Sequence, residues 1–157
     1  MKRLFLFVAV ATLGLMTSCS SDDNKGGNGS GNSTLKVTID GDVKTFNTIV
    51  VNEEVWDEDY TELQVSATIN SNPTEYIAFN LQKGKTGTSA VTSFYYVKDG
   101  AEYNSYYGNL SVFVETNSNG KLKGTFSGSV GMYIYDENWD SELVTIPLTN
   151  GSFDISY

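Results

Sequence analysis

From Leu122 to Ile134 the even positions read Leu122, Gly124, Phe126, Gly128, Val130, Met132 and Ile134, and the odd ones are mostly Lys, Thr, Ser and Tyr. A period of two puts the apolar set on one face of an extended strand and the polar set on the other. Similar alternation of β-branched and aromatic residues recurs from Thr34 onward, with turn signals roughly every 8 to 15 residues, and no window shows a 3.6-residue apolar period. The pattern predicts an all-β fold: an antiparallel β-sandwich of about nine strands, with an up-and-down, lipocalin-like barrel as the alternative. The predicted strands are Leu35 to Ile39, Val43 to Val51, Glu62 to Asn70, Glu75 to Gln82, Ala90 to Lys98, Asn109 to Thr116, Leu122 to Tyr135, Leu143 to Thr149 and Ser152 to Tyr157.

Two Asn-Gly pairs make specific register predictions. Asn150-Gly151 is a strong signal for a two-residue type I′ turn, because both of its central positions need positive φ. A hairpin there pairs Leu148 with Phe153, Ile146 with Ile155 and Val144 with Tyr157, all apolar on both sides. Pro147, which lacks an N–H, then falls opposite Asp154 and marks an edge strand or a bulge. At Asn119-Gly120 a two-residue loop sets the inward residues Leu110, Val112 and Val114 against the wrong parity. A three-residue loop, Ser118 to Gly120, instead pairs Val112 with Phe126 and Val114 with Gly124. Gly124 and Gly128, beside bulky partners, serve curvature and close packing.

The stretch Gly124-Thr125-Phe126-Ser127-Gly128, followed by Ile146 to Leu148 and Thr149-Asn150-Gly151-Ser152-Phe153, resembles a family of small Bacteroidetes lipoproteins. These share a "GTFS" strand and a closing "TNG-x-F" hairpin, and Leu35 to Phe46 resembles the family's opening strand pair. The resemblance implies an antiparallel β-sandwich on a lipid tether and brings no active site with it.

The N-terminus fits that address. Lys2 and Arg3 precede an apolar run, Leu4 to Leu15, that is too short to span a hydrocarbon core needing roughly 20 helical residues. Residues 1–18 therefore read as a signal peptide. Thr17, Ser18 and Cys19 resemble the lipobox of bacterial lipoprotein precursors, with Met16 where Leu usually stands; the resemblance implies that Cys19, the only cysteine, carries the lipid. Residues 19–33 are then the lipidated cysteine and a Gly/Asn/Ser-rich tether, whose reach as a random coil is about 20 Å. Ser20-Ser21-Asp22-Asp23 also resembles the acidic export signal of surface-exposed lipoproteins in such bacteria. The expected location is the outer membrane facing outward, with its periplasmic face as the alternative, and residues 34–157 form a single domain.

Charge and composition exclude much. The chain has 10 basic and 19 acidic residues; without Lys2 and Arg3 its formal net charge is about −11. Nucleic acid and anionic headgroups are poor partners for such a surface. There is no histidine, and the one cysteine is assigned to lipid, so Ser/His/Asp and Cys/His catalysis and His-ligated metals are unavailable. No phosphate-cradling glycine motif occurs.

Two acidic loops hold both tryptophans: Glu53 to Tyr60, with Trp56, and Asp136 to Glu142, with Trp139. Asp136, Asn138 and Asp140 stand at positions 1, 3 and 5 of an EF-hand loop, but Ser141 and Pro147 occupy positions 6 and 12, so only an irregular oxygen-rich Ca²⁺ site is left open. Trp56 and Trp139, with tyrosines such as Tyr95, Tyr96, Tyr103, Tyr106 and Tyr107 around Asp99-Gly100, are alternatively flat platforms for glycan or peptide, against the plainer reading that strands favour such residues for packing. A glycosidase needs two carboxylates at a set separation, and no cleft is evident. The resulting expectation is a lipid-anchored, non-enzymatic binding or scaffolding module for glycan or envelope protein, without cofactor or metal. An enzyme or accessory subunit acting on glycans is the rival.

Overall fold

The structure, a computed structural model, describes residues 27–28 and 33–157. The expected signal peptide, Cys19 and most of the expected tether lie outside the described residues. The strands are β1 (Gly27–Asn28), β2 (Thr34–Ile39), β3 (Asp42–Phe46), β4 (Thr48–Val55), β5 (Thr61–Ile69), β6 (Asn72–Gln82), β7 (Val91–Lys98), β8 (Ala101–Asn104), β9 (Ser111–Ser118), β10 (Lys121–Tyr135) and β11 (Ser141–Ser156), with a 3₁₀ turn at Ser105–Tyr107. Among the described residues no helix is long and apolar enough to cross a membrane.

The all-β antiparallel class expected from the alternation is found, and it takes the barrel form. All strands belong to one sheet in the order β1-β4-β5-β6-β7-β8-β10-β11-β2-β3, with β9 also on β10. Only Asn47 separates β3 from β4, so the two ends of this meander are successive pieces of one strand and the sheet nearly closes on itself. The closing corner is hydrogen-bonded. Asn47 donates its N–H to Thr68 O (3.1 Å) and its Nδ2 to Asn70 Oδ1 (2.7 Å), while Asn70 N–H donates to Asn47 Oδ1 (2.8 Å). Closure leaves few free edges, the exposed feature of any open sheet.

Inward-facing residues fill the interior. Phe79 lies 5.8 Å from Phe94 and 5.3 Å from Phe153, and Phe94 lies 5.1 Å from Phe126, with Leu63, Leu81, Leu122 and Ile155 fully buried around them. A small barrel is just wide enough either to be filled by side chains or to hold a ligand, and this one is filled.

Two register expectations are corrected. β11 runs unbroken through Asn150-Gly151, so there is no C-terminal hairpin. Phe153 pairs with Gly124 on one side and Leu35 on the other, and Leu148 with Gly128 and Ile39. The ladders slip between Thr149 and Ser152 and between Phe126 and Gly128, so Asn150-Gly151 is a β-bulge. Asn150 has φ of 54°, whereas Gly151 lacks the positive φ that a type I′ turn demands. A bulge and a two-residue hairpin switch the inward parity identically, from Leu148 to Phe153, and neighbours on both flanks decide between them. Pro147 pairs with Ser129, not Asp154; its carbonyl accepts the Asp40 N–H (3.2 Å) just beyond the end of the β2 ladder, so its missing N–H costs no strand bond.

The turn at Asn119-Gly120 also departs from expectation. Val112 does pair with Phe126 and Val114 with Gly124, but Ser118 pairs with Lys121, so the loop has two residues, with φ of 54° and 70°. The ladder slips between Lys123 and Gly124, leaving Glu115 as the extra residue that restores parity. Gly124 serves close packing as expected, since a Cβ there would stand 2.5 Å from Phe153 Cζ.

Candidate functional site

Antiparallel pairing assigns each loop to an end of the barrel. The β4–β5, β6–β7 and β9–β10 loops and the C-terminus share one end; the β2–β3, β5–β6, β7–β8 and β10–β11 loops share the other. Trp56, in the β4–β5 loop, and Trp139, in the β10–β11 loop, are thus held at opposite ends and cannot form one platform. Both are exposed, Trp139 at 83%. Each acidic loop is organised by its own carboxylate. Asp136 Oδ1 accepts the N–H groups of Asn138 (2.8 Å) and Asp140 (2.9 Å), and Asp57 Oδ1 accepts the Asp59 N–H (2.9 Å). Among the described residues no group of three or more His, Cys, Asp or Glu is gathered to hold a metal ion.

The tyrosines around Asp99-Gly100 separate by strand alternation. Tyr96 and Tyr103 point inward and stack with centroids 6.1 Å apart. Tyr96 donates its hydroxyl to Glu75 (2.6 Å), which also pairs with Lys44. Burial opposes ionisation of Glu75, but the hydrogen bonds from Lys44 and Tyr96 and the charges of Lys44 and Lys98 outweigh it and hold the carboxyl below its ordinary value. Burial, then the bond to Glu75 and its charge, push the Tyr96 phenol well above its usual range, so it serves as a fixed donor. This cluster ties β3 to the paired strands β6 and β7, neither of which is hydrogen-bonded to β3 in the sheet.

Tyr95, Tyr106 and Tyr107 face outward. Two ladder rows cross the outer face here: Ala78↔Tyr95↔Asn104↔Gly131 and Tyr76↔Val97↔Glu102. Tyr107 meets Tyr106 and Tyr133 edge to face, each at 5.2 Å between centroids. The outer face of β10 above this point carries Lys121, Lys123, Thr125 and Ser127 instead. Aromatic rings are therefore gathered over one sector of the barrel.

This sector is also concave, because the sheet parts within it. β8 ends at Asn104, the 3₁₀ turn steps aside, and β9 rejoins the same edge of β10 at Ser111. The turn is fixed by Asn104 Oδ1, which accepts the Tyr106 N–H (2.7 Å). Its exit passes so close to β10 that a Cβ on Gly108 would stand 2.0 Å from Ser129 O, and only glycine fits. β7 pairs with β8 only from Tyr95 to Lys98, so Val91 to Phe94 face a seam. A cleft of about 430 Å³, lined by Thr92, Ser93, Tyr95, Asn104, Tyr106 and Leu110, opens there. A smaller one of about 210 Å³, lined by Val97, Ala78, Tyr76 and Glu102, adjoins it across Tyr95. Another cleft, of about 480 Å³, lies at the Asn150-Gly151 bulge, where Phe113 and Phe126 are the aromatic lining among serines and a threonine.

Sequence reasoning singled out Tyr95 and Tyr106 but missed Tyr76, Glu102, Asn104, Thr92 and Ser93. Alternation alone places Tyr76 and Tyr95 on the outer face; the seam depends on β8 stopping after four residues, which no local pattern announces. Comparison with protein-family models, with curated proteins and with solved structures finds no match.

Proposed function

We propose that this chain is a non-enzymatic binding module, tethered at the cell envelope by lipid on Cys19 and displayed from the outer membrane, with glycan or envelope protein as its ligand. The observation that carries the reading is the aromatic, concave outer sector spanning β6, β7 and the 3₁₀ turn, on a barrel whose interior is already filled by phenylalanines. Exposed aromatic residues grouped together and rimmed by polar side chains are the usual mark of an interaction surface. The seam supplies a concave floor, and small-ligand sites favour such places.

The anchor and the binding role are tested together in intact cells. Clickable palmitate should label the wild-type chain and leave Cys19→Ala unlabelled, and added protease should degrade the wild-type chain without lysis. Crosslinking in the same cells should join the wild-type chain to a glycan or an envelope protein. Labelling of Cys19→Ala would remove the anchor from the reading, and wild-type cells yielding no crosslinked species would remove the binding role.

A further inference from the structure

The lining of the two adjoining clefts is specific enough to name a ligand class. Its polar groups are the hydroxyls of Thr92, Ser93, Ser105 and the tyrosines, the amide of Asn104 and the carboxylate of Glu102; it holds no lysine or arginine. Asn104 Oδ1 is occupied by the Tyr106 N–H, which leaves the side-chain NH₂ as donor. Without a cation in the lining, with Glu102 in it and with a formal net charge of −9 on the chain, a phosphate, sulfate or uronate would find no opposite charge to pair with. The floor is the centre of the β6–β7–β8 ladder, whose backbone groups are spent on strand pairing, and the free stretch of β7 at the seam is only four residues, Val91 to Phe94. Strand addition by a peptide therefore has little edge to use. What the clefts offer is flat rings beside groups that both donate and accept hydrogen bonds.

We infer that this outer sector is a subsite row for a neutral oligosaccharide, with Tyr95 between two sugar positions, Tyr76 and Tyr106 flanking them, and Glu102 and Asn104 fixing hydroxyls. The inference rests on the binding-module reading above and adds to it the place and the ligand class. A pyranose presents an apolar C–H face to a ring and a rim of hydroxyls to its neighbours, matching a face on which Tyr76 and Tyr95 stand in the same two rows as Glu102 and Asn104, with Ser93 and Ser105 beside them. Tyr95 belongs to both clefts, so a chain of sugars crossing the strands passes over it. The larger cleft, about 430 Å³, falls in the range of about 300 to 1,000 Å³ usual for small-ligand sites.

The test is affinity electrophoresis of the full chain in gels containing neutral polysaccharides (mannan, xylan, galactan, soluble β-glucan, starch), followed by calorimetry with the matching hexasaccharide. At least one neutral polymer should retard the protein, and polygalacturonate and heparin should not. Tyr106→Ala and Tyr95→Ala should each weaken the hexasaccharide by about tenfold or more, the loss expected of a central aromatic contact. Tyr106 is 84% exposed, so truncating it should leave folding intact even if Tyr95→Ala does not. Trp56→Ala and Trp139→Ala should bind as the wild type does. No retardation in any neutral polymer, retardation undiminished in Tyr106→Ala, or retention only by polyanions or by an extended peptide overturns the inference. Loss of binding in Trp139→Ala moves the site to the loop and leaves the module reading standing, whereas that reading falls only if intact cells yield no ligand at all.

Discussion

Replacing Glu75 with glutamine is the most searching perturbation of the barrel's closure. Lys44 and Glu75 are 19% and 16% exposed, so their ion pair is largely shielded from water, and it joins strands that share no ladder. The glutamine amide oxygen can still accept the Tyr96 hydroxyl, so the substitution removes the charge and little else. A fully exposed pair contributes about 0 to 1 kcal/mol, and breaking a fully buried one costs about 3 to 5 kcal/mol. The partial shielding puts Glu75→Gln between these, at about 2 kcal/mol, or roughly 8 °C in Tm. Because the folded carboxyl titrates below its ordinary value of 4.5, the folded state holds fewer protons than the unfolded chain in that window. The contribution is thus fully present above 4.5 and is lost as pH falls through the lower folded value. Urea unfolding of wild type and Glu75→Gln at pH 7 should show the full gap, and at pH 3 a smaller one. Lys44→Met combined with Glu75→Gln should cost less than the sum of the two alone. A gap under about 0.5 kcal/mol at pH 7, or one that widens on acidification, refutes the account.

Gly151→Ala should destabilise the fold by about 2 to 3 kcal/mol, since the added Cβ would lie 2.5 Å from Phe126 ring atoms that are themselves packed against Phe94 and Phe153; chemical denaturation measures this. Asn117→Ala should cost about 1 to 3 kcal/mol, because the buried Asn117 Nδ2 donates to Gln82 O (2.8 Å) and Lys85 O (3.0 Å) and its Oδ1 accepts the Tyr157 hydroxyl (3.2 Å). Hydrogen exchange should then speed up first in the β6–β7 loop, and unchanged protection there would argue against this role.

The class of fold and the facing of most residues are legible in the chain, because side-chain direction in a strand is a local property with a period of two. Parity picks out the pairing of Val112 with Phe126 even though the expected three-residue loop is a two-residue one with a bulge, and alternation sets Tyr95 outward beside the inward Tyr96. The position of Trp56 and Trp139 in acidic loops is equally local. Which ends of the barrel those loops occupy is not, because it follows from the order of the strands around the sheet.

Alternation and short turns written along the chain dictate antiparallel strands and, for most of them, the side that is buried. Tertiary structure alone decided that Asn150-Gly151 is a bulge, since a bulge and a hairpin demand the same alternation and differ only in distant partners on β10 and β2. It also decided the seam beside Tyr95, which exists because Gly108 lets the 3₁₀ turn press against β10 while β7 loses its neighbour. Burial is a one-residue preference written along the chain, whereas register and concavity are relations between strands far apart in it.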